Sequence, residues 1–420
     1  MAGKLYTLLS QAVAQHADPA IYYPIDQKGK AMPVFNTLAD RSEEMTEWRR
    51  TLHAHPELGF EEQWTADFIA EKLESFGVEV HRGLATTGIV GVIRGQGDSN
   101  RMIGLRCDID ALPMTEENSF DHVSTQPGRM HACGHDGHTT MLLGAARYLA
   151  ETRNFDGTAV LIFQPAEEGG GGGEVMIRDG LFDTFPMQTV WGMHNWPGLD
   201  VGKVVVQRGP SMAAADMFTI TLTGKSGHAA MPHLTIDSIV AGSALVQSCQ
   251  SIVSRRIDPL DPAVVSITQF HAGSAHNVIP DQTVIIGTAR YVRRETGAFI
   301  ERQLGHMAER IAAAHDCSAE MNWEPGYPPT INHVDEAERA AEAARAVIGP
   351  DSVVYDAPPS MASEDFSYML EQRPGAYIWL GAGEGGEGSM LHNTRYDFND
   401  ELLPMGSSYW VQLVESEMPR

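Results

Sequence analysis

The sequence predicts an α/β protein whose main domain has a central mixed sheet and is interrupted by a smaller α+β domain. In the first half, helix and strand patterns alternate, and the strands "RMIGLRCDIDAL" and "GTAVLIFQPAE" are almost continuously apolar. Such runs are typical of central strands that are covered on both faces. From residue 211 the pattern changes to β-α-β-β-α-β, which is typical of a ferredoxin-like, two-layer domain. We therefore predict a discontinuous main domain over 1–210 and 326–420, and an inserted domain over 211–325.

The elements of the main domain follow from apolar periodicity. A short amphipathic helix is expected in "MAGKLYTLLSQAVAQHADP", and further helices in "RSEEMTEWRRTLHAHPEL", "EEQWTADFIAEKLESFG" and "HTTMLLGAARYLAET". Strands are expected in "VEVHRGL", "GIVGVIRG", "VWGMHNW" and "GKVVVQRG". After residue 326, "DEAERAAEAARAVIG", "SVVYDA" and "AYIWLGAG" return to an alternation of helix and strand, and a final helix closes the chain.

The inserted domain is expected to have two helices on one face of an antiparallel sheet. Its strands are predicted in "DMFTITLTGKSGHA", "AVVSITQFHAG", "QTVIIGTARYV" and "SAEMNWEP", and its helices in "TIDSIVAGSALVQSCQSIVSR" and "ETGAFIERQLGHMAERIAAAH". The alternating strands suit a sheet with one exposed face. The segment "PGYPPT" at 325–330 is interpreted as the linker back to the main domain.

Composition narrows the class of function. The chain has 420 residues and a net charge of −25, which argues against nucleic acid as a partner because a phosphate backbone attracts basic surfaces. No apolar run approaches the roughly 20 residues that span a bilayer, so no membrane partner is expected. The four cysteines are far apart in sequence and form no CxxC pair, which suits a reducing cytoplasm.

The segment "HACGHDGHTTM" is the strongest candidate for a metal site. It places Cys133, His135, Asp136 and His138 within six residues, directly before a predicted helix. Thiolate, imidazole and carboxylate are the ligands that zinc and other borderline divalent metals take in proteins. An isolated histidine is more often structural, but a cluster of this spacing favours metal binding.

Further candidates follow predicted strands or lie in loops near them. Glu167 and Glu168 follow a buried strand, His194 lies at the end of "VWGMH", and His392 is in the loop "MLHNTRYDFND". Sites in α/β sheets form beyond the carboxyl ends of strands, so these fragments could converge there. Together with the Cys/His cluster, they would supply five ligands, enough for two metal ions.

The glycine run after Glu168 allows three interpretations. A phosphate-binding loop would need G-x-x-x-x-G-K-[ST], whereas Glu174, Val175 and Met176 follow the glycines here. A pure linker is disfavoured by the apolar strands on both sides. The remaining interpretation is a carboxylate pair in which one glutamate binds metal and its neighbour accepts a proton from water, whose pKa a metal lowers towards roughly 7. Glycines would leave room beside that pair.

Many motifs in order carry a family resemblance. These are "HPELGFEE", "DIDALP", "HACGHDGHTTMLLGAA", "QPAEEG", "MHNWP", "GPSMAAADMFTITLTGKSGHAAMPH", "HNVIP", "SEDFSYM" and "LHNTRYDFND". From about residue 43 onwards the chain resembles the amidohydrolase branch of the binuclear metallopeptidases, which includes hippurate hydrolases, auxin-conjugate hydrolases and aminoacylase-like carboxypeptidases. The resemblance implies a zinc-peptidase-like catalytic domain with an inserted lid or dimerisation domain.

The resemblance also implies roles for individual residues. The metal ligands would be Cys133, His135, Glu168, His194 and His392, and Glu167 would be the general base and proton shuttle. His228 would help to polarise the scissile carbonyl, often across the dimer interface in relatives. Asn277 and Arg290 would hold the carboxylate of the substrate, a role that suits the planar fork of arginine. Asp108 and Asp110 are expected near the site but not as ligands.

The sequence thus predicts a metal-dependent amidohydrolase that cleaves N-acyl amino acids or related small N-acyl carboxylates. It would use two divalent ions per subunit, drawn from Zn, Mn, Ni or Co. A homodimer or higher homo-oligomer through the inserted domain is expected from the resemblance. Two alternatives stay open: a biosynthetic deacetylase of the N-acetyl-diaminopimelate type, and a non-catalytic protein that binds a small acid.

Overall fold

The chain was analysed as a computed structural model that describes residues 21–22, 34–355, 357–384 and 388–420. The helix expected at the start of the chain lies outside these residues. The described part forms two compact units. One comprises the described residues up to Arg208 with His333–Ala357 and Gln372–Arg420, and the other comprises Gly209–Asn332 and Pro358–Glu371.

These limits differ from the predicted domain boundaries in one respect. The breaks at 208/209 and 332/333 lie within several residues of the boundaries predicted at 210/211 and 325/326. The segment Pro358–Glu371, however, groups with the second unit, although the sequence assigned it to the main domain. Ala213 explains part of this grouping, because its backbone N–H lies 2.9 Å from the carbonyl oxygens of both Ser360 and Ala362.

The first unit is organised around a mixed sheet that has eight strands among the described residues. In chain order these strands are β3 (Glu79–Leu84), β4 (Gly88–Arg94), β5 (Met102–Asp108), β6 (Thr158–Gln164), β7 (Thr189–Trp196), β8 (Val204–Val205), β17 (Val353–Val354) and β18 (Gly375–Gly381). Their spatial order is β17-β8-β18-β7-β5-β6-β4-β3. Strands β18, β7, β5 and β6 are parallel neighbours, while β4 and β3 continue the sheet in antiparallel pairing.

The central strands have continuous apolar sequences because nearly all of their residues are buried. Every residue of β18 is buried, as are all but the first residue of β5 and of β6. Helices cover the sheet. Five of them lie in segments that were predicted to be helical: α2 (Ser42–His53), α3 (Gln63–Ser75), α4 (His135–Thr152), α9 (Val334–Ile348) and α11 (Leu402–Glu417). Three short helices were not predicted: α1 (Asn36–Ala39), α5 (Gly172–Arg178) and α6 (Leu181–Thr184). The predicted strand "GKVVVQRG" is reduced to the two residues of β8.

The second unit contains a four-stranded antiparallel sheet with two long helices. The sheet has the order β12-β14-β10-β15 and is formed by β10 (Ala214–Thr223), β12 (Ala263–Ala272), β14 (Gln282–Tyr291) and β15 (Ser318–Glu324). Helices α7 (Ser238–Arg256) and α8 (Arg294–Ala314) contribute Leu245 and Leu304 to the same buried cluster as Phe218 of β10. This is the predicted α+β arrangement.

Shorter elements complete the second unit. They are β9 (Pro210–Met212), β11 (Gly227–His228), β13 (Val278–Ile279), β16 (Thr330–Ile331) and α10 (Phe366–Gln372), whose last residue belongs to the first unit. Strand β16 pairs with β9, so the end of the predicted linker "PGYPPT" is in fact a strand. A two-residue ladder between β1 (Ile21–Tyr22) and β2 (Val34–Phe35) lies near the start of the chain. Among the described residues, no helix has both the length and the hydropathy needed to cross a membrane.

A buried polar network joins helix α2 to helix α4 and to the loop before α11. The guanidinium of Arg49 is fully buried and donates 2.7 Å hydrogen bonds to Asp397 and Asp400. His53 shares hydrogen bonds with Asp136 at 2.8 Å and with Glu116 at 3.2 Å. Burial by itself would lower the pKa of His53, but these two carboxylates outweigh it and raise the pKa to about 9. His53 is therefore a buried cation at neutral pH.

This network predicts a pH-dependent contribution to stability. Because the pKa of His53 is higher in the folded chain than its ordinary value of 6.5, its contribution is complete below pH 6.5 and is lost as the pH rises through about 9. In urea denaturation of the metal-free protein, the deficit of His53→Gln relative to wild type should shrink by about 3 kcal/mol between pH 6 and pH 10. His81→Gln, which removes an exposed histidine paired with Glu79, is the control and should show no such trend. A pH-independent deficit for His53→Gln would contradict a charged His53.

Candidate metal centre

The candidate site lies at the carboxyl ends of the three parallel strands β5, β6 and β7. Asp108 ends β5 opposite Gln164, the last residue of β6. The chain continues from Gln164 into Glu167 and Glu168, and His194 lies near the end of β7. Because these strand ends share one edge of the sheet, the side chains that follow them are brought together.

Helix α4 delivers two more donors to this edge. The helix begins at His135, and Gly134 separates His135 from Cys133. The side chains of Cys133 and His135 are both buried. Gly134 has φ +93°, and a Cβ atom there would overlap the amide oxygen of Asn195. Glycine is therefore required by both conformation and space, which explains the "CGH" sequence between the two donors.

The donors form overlapping groups of three. Ligand atoms of Cys133, His135 and His194 lie within 4.8 Å of one another, and the same holds for Cys133, Glu168 and His392. A third group combines His135 with Glu167 and Glu168. The structure thus brings together all five predicted ligands and the predicted base, and Cys133 is shared by the first two groups.

Individual distances show how closely the donors approach. Sγ of Cys133 lies 3.4 Å from Nε2 of His194, and Oε1 of Glu168 lies 3.1 Å from Nε2 of His392. Nε2 of His135 is buried without a hydrogen-bond partner among the described residues. Burial by itself would lower the pKa of His135, but Asp108 and Asp110 outweigh it and raise the pKa to about 10, so a metal ion at Nε2 would take the place of a proton.

The electrostatics of the donors also fit a cation. Burial raises the pKa of the Cys133 thiol well above its ordinary value, and the negative charges of Glu168 and Glu167 raise it further. Burial also holds the pKa of His194 well below its usual range, aided by the neighbouring His138, so His194 is a neutral imidazole. Neutral imidazole and a thiol crowded by carboxylates are suited to a divalent ion, which would stabilise the thiolate.

Asp110 orients two of the predicted ligands, His135 and Glu168. Its carboxylate oxygen Oδ1 lies 3.2 Å from Nδ1 of His135, and its carbonyl oxygen lies 2.9 Å from the same nitrogen. Its other carboxylate oxygen accepts the backbone N–H of Glu168 at 2.9 Å. Because Nδ1 is held in this way, Nε2 of His135 is the atom that is free to bind metal.

A second chain of contacts orients His194. Asp108 is hydrogen-bonded to Nδ1 of His138 at 2.6 Å, and Nε2 of His138 meets the side chain of Asn195 at 2.8 Å. The carbonyl oxygen of Asn195 in turn lies 2.6 Å from Nδ1 of His194. Both ring nitrogens of His138, a candidate ligand in the "HDGH" cluster, thus already have hydrogen-bond partners. Asn195 stands in the motif "MHNWP" directly after His194, but its supporting role was not predicted.

His392 is the most accessible of the five predicted ligands, with a side chain 55% exposed. It has φ +60°, an uncommon conformation for a residue with a side chain. Its backbone N–H donates to the carbonyl oxygen of Ala132 at 2.8 Å, which ties the loop to the segment that carries Cys133. The neighbouring carboxylate of Glu168 raises the pKa of His392.

The three remaining predicted site residues belong to the second unit. His228 and Asn277 are exposed, and they lie on neighbouring segments because β11 pairs with β13. Nδ1 of His228 accepts the backbone N–H of Ala230 at 3.0 Å. Arg290 is half-buried on β14, and its guanidinium lies 3.4 Å from the hydroxyl of Ser363. Their roles towards substrate stay predictions.

Comparison with known proteins places the chain within a described family. Residues 104–416 match the family described as Peptidase family M20/M25/M40. This range contains every donor described above and both segments of the second unit.

Individual relatives span nearly the whole chain. The hippurate hydrolase of Campylobacter jejuni is 41% identical, covering 91% of this chain and 99% of that protein. The IAA-amino acid hydrolase ILR1-like 2 of Arabidopsis thaliana is 40% identical, covering 89% of this chain and 86% of that protein. Among solved structures, the Bacillus subtilis YXEP protein, described as a dinuclear metal binding peptidase, is 34% identical with a TM-score of 0.80 and covers 90% of this chain and 99% of that one.

The arrangement predicts that Cys133 is required for metal binding. Cys133→Ala removes the donor common to two of the ligand groups, so metal content after reconstitution should fall by at least half. Elemental analysis of the purified protein gives the measurement. Cys249→Ala, which removes another buried free cysteine in the second unit, is the matched control and should keep the wild-type content. Equal metal content in both variants would contradict the assignment of Cys133.

Proposed function

We propose that this chain, which belongs to peptidase family M20/M25/M40, hydrolyses the amide bond of N-acyl amino acids or related small N-acyl carboxylates. It is a metal-dependent amidohydrolase, and its relatives named hippurate hydrolase and N-acyl-L-amino acid amidohydrolase support this substrate class. The observation that carries the proposal is that five side chains able to bind metal lie in overlapping groups, one of which joins His135 and Glu168 to Glu167.

We assign two divalent ions to the site. Cys133 belongs both to the group with His135 and His194 and to the group with Glu168 and His392, so it would be the common ligand of the pair. Zinc, manganese, nickel and cobalt all suit this mixture of thiolate, imidazole and carboxylate. Bound ions would lower the pKa of a coordinated water towards roughly 7 and polarise the amide carbonyl.

The surroundings of Glu167 support its proposed role as the group that moves the proton. Its side chain is buried, and its carboxylate lies within 4.8 Å of ligand atoms of His135 and Glu168. In the proposed reaction, Glu167 accepts a proton from the attacking water as the new C–O bond forms. It then delivers that proton to the amide nitrogen as the C–N bond breaks, which releases a carboxylic acid and an amino acid.

The second unit would supply the contacts that select the substrate. We propose that His228 donates a hydrogen bond to the carbonyl oxygen as negative charge develops on it. Asn277 and Arg290 would hold the free carboxylate, since a guanidinium can donate two parallel hydrogen bonds to it. Burial lowers the pKa of Arg290, partly offset by Asp216, but an arginine remains protonated in any such environment.

Two further properties are proposed from the sequence. The chain would associate as a homodimer or higher homo-oligomer through the second unit, which light scattering coupled to gel filtration would test. The chain would act in the cytoplasm, which suits its four buried cysteines, none of which forms a disulfide.

The substrate class is tested by a panel of N-acyl amino acids, including hippurate and acetylated amino acids, after reconstitution with Mn²⁺. The proposal requires hydrolysis of at least one member, detected as release of the free amino acid. Tight binding of small acids without any hydrolysis would instead support the non-catalytic alternative.

Glu167→Gln should separate catalysis from metal binding. The amide cannot accept the proton, so kcat should fall by about 10²–10⁴-fold while metal content stays near the wild-type value. Glu174→Gln is the matched control, because Glu174 is exposed on helix α5, which directly follows the loop of Glu167, and lies outside the donor groups. Turnover of Glu167→Gln at the wild-type rate would remove Glu167 from the mechanism.

Arg290→Met should reveal recognition of the substrate carboxylate. With hippurate, the loss of a charge-assisted pair should raise KM by at least about tenfold, since such hydrogen bonds are worth roughly 1.5–3 kcal/mol. With hippuramide, which lacks the carboxylate charge, the same variant should differ little from wild type. An equal effect on both substrates would show that Arg290 does not bind the carboxylate.

A further inference from the structure

Ala166, the residue before the proposed base, has an uncommon backbone conformation that must be held in place. It has φ +53° and is fully buried. For a residue with a Cβ atom this left-handed region is unfavourable, so it persists only when surrounding contacts fix it. The conformation of Ala166 sets the direction in which the chain enters Glu167.

Glu62 supplies such a contact from a distant part of the sequence. Its Oε1 accepts the backbone N–H of Ala166 at 2.9 Å, and its Oε2 accepts the hydroxyl of Thr87 at 2.6 Å. Glu62 is fully buried and Thr87 nearly so. The two oxygens of one carboxylate thus join the segment before α3, the turn between β3 and β4, and the loop that carries the base.

The position of Glu62 on its own helix argues against an ordinary capping role. It directly precedes α3, where an acidic side chain could accept backbone N–H groups of the first turn. Its side chain makes no such capping hydrogen bond and extends instead to Ala166. The first turn of α3 is satisfied by Glu57, which accepts the N–H groups of Trp64 and Thr65.

Burying the Glu62 carboxylate costs free energy, so filling space alone does not explain a glutamate at this position. Burial raises the pKa of Glu62 to about 7, and the negative charge of Asp110 adds to the effect, while hydrogen bonds from Thr87 and Ala166 act in the opposite direction. An apolar side chain would fill the same space without this cost. The carboxylate is therefore explained by the two groups that it binds.

The backbone on both sides of Glu167 is held by buried carboxylates. Glu62 accepts the N–H of Ala166, and Asp110 accepts the N–H of Glu168 at 2.9 Å. The glycine run closes the loop around the same point, because a Cβ atom at Gly170 would lie 2.7 Å from Cβ of Ala166 and one at Gly172 would overlap the carbonyl oxygen of Pro165. These glycines are required for close packing against the residues that precede the base.

The geometry points to Glu62 as a positioning residue that fixes the conformation of Ala166 and thereby the placement of the Glu167 carboxylate. This inference rests on the proposed function for its kinetic consequence only. A shift of the base by about 1 Å can cost on the order of 100-fold in rate. Glu62 itself touches neither substrate nor metal ligands in this role.

The test compares two substitutions at this position. Glu62→Gln keeps an oxygen for Ala166 and an amide for Thr87, so kcat should stay within about threefold of wild type. Glu62→Met keeps the approximate length and removes both acceptors, so kcat should fall by about 10–100-fold with little change in KM or metal content. Glu57→Met, which removes a carboxylate that binds the same helix, is the control and should leave kcat unchanged.

Hydrogen–deuterium exchange gives a readout that does not depend on the reaction. Peptides covering Gln164–Gly171 should exchange faster in Glu62→Met, but not in Glu62→Gln or Glu57→Met. Thr87→Val, which removes only the hydroxyl donor, should also increase the exchange of these peptides, but by less. It replaces Glu62→Met in the test if Glu62→Met does not fold. If wild type hydrolyses no acyl substrate but the exchange pattern holds, the proposed function fails and the positioning contact stands. Unchanged exchange and kcat in both Glu62→Met and Thr87→Val would overturn the inference.

Discussion

The site depends on one electrostatic constraint: several anionic or electron-pair-donating groups are crowded together where little water can reach them. Glu167 and Cys133 are less than a tenth exposed, and Glu168 adds a second carboxylate beside them. Like charges in a medium of low dielectric repel strongly, and the raised pKa of Cys133 is a direct consequence. A divalent cation would offset this repulsion, so the crowding that destabilises the metal-free chain would favour metal binding.

The surrounding residues hold the donors in position through hydrogen bonds. Parallel strands bring their carboxyl ends to one edge, and supporting hydrogen bonds from Asp110 and Asn195 then select which imidazole nitrogen faces the centre. Backbone conformations that are normally unfavourable occur at Ala166 and His392, both beside or within the donor set. Such conformations are often found at functional sites, where the surrounding structure holds them in place.

The fold class could be predicted from the sequence, and so could the side chains that the structure brings together at the strand ends, for physical reasons. Buried parallel strands leave continuous apolar runs, and metal ligands require particular residue types at short spacing, as in the segment from Cys133 to His138. The supporting residues lie in motifs of the resemblance, and Asp110 was expected near the site, but their hydrogen-bond partners could not be predicted. Glu62 is the last residue of "HPELGFEE", and its contacts with Thr87 and Ala166 join positions 25 and 104 residues apart. Similarly, the grouping of 358–371 with the second unit depends on tertiary contacts that local patterns do not encode.

The central claim is that the converged donors hold the metal ions of an N-acyl amino acid hydrolase. It is tested most directly by titrating Mn²⁺ into metal-free protein while measuring bound metal and hippurate hydrolysis in the same samples. The account predicts no turnover without metal and a rise in turnover that saturates as about two ions bind per chain, the number expected for a two-metal hydrolytic site. Full turnover in the presence of a strong chelator, or saturated metal binding with no hydrolysis of any acyl amino acid, would contradict it.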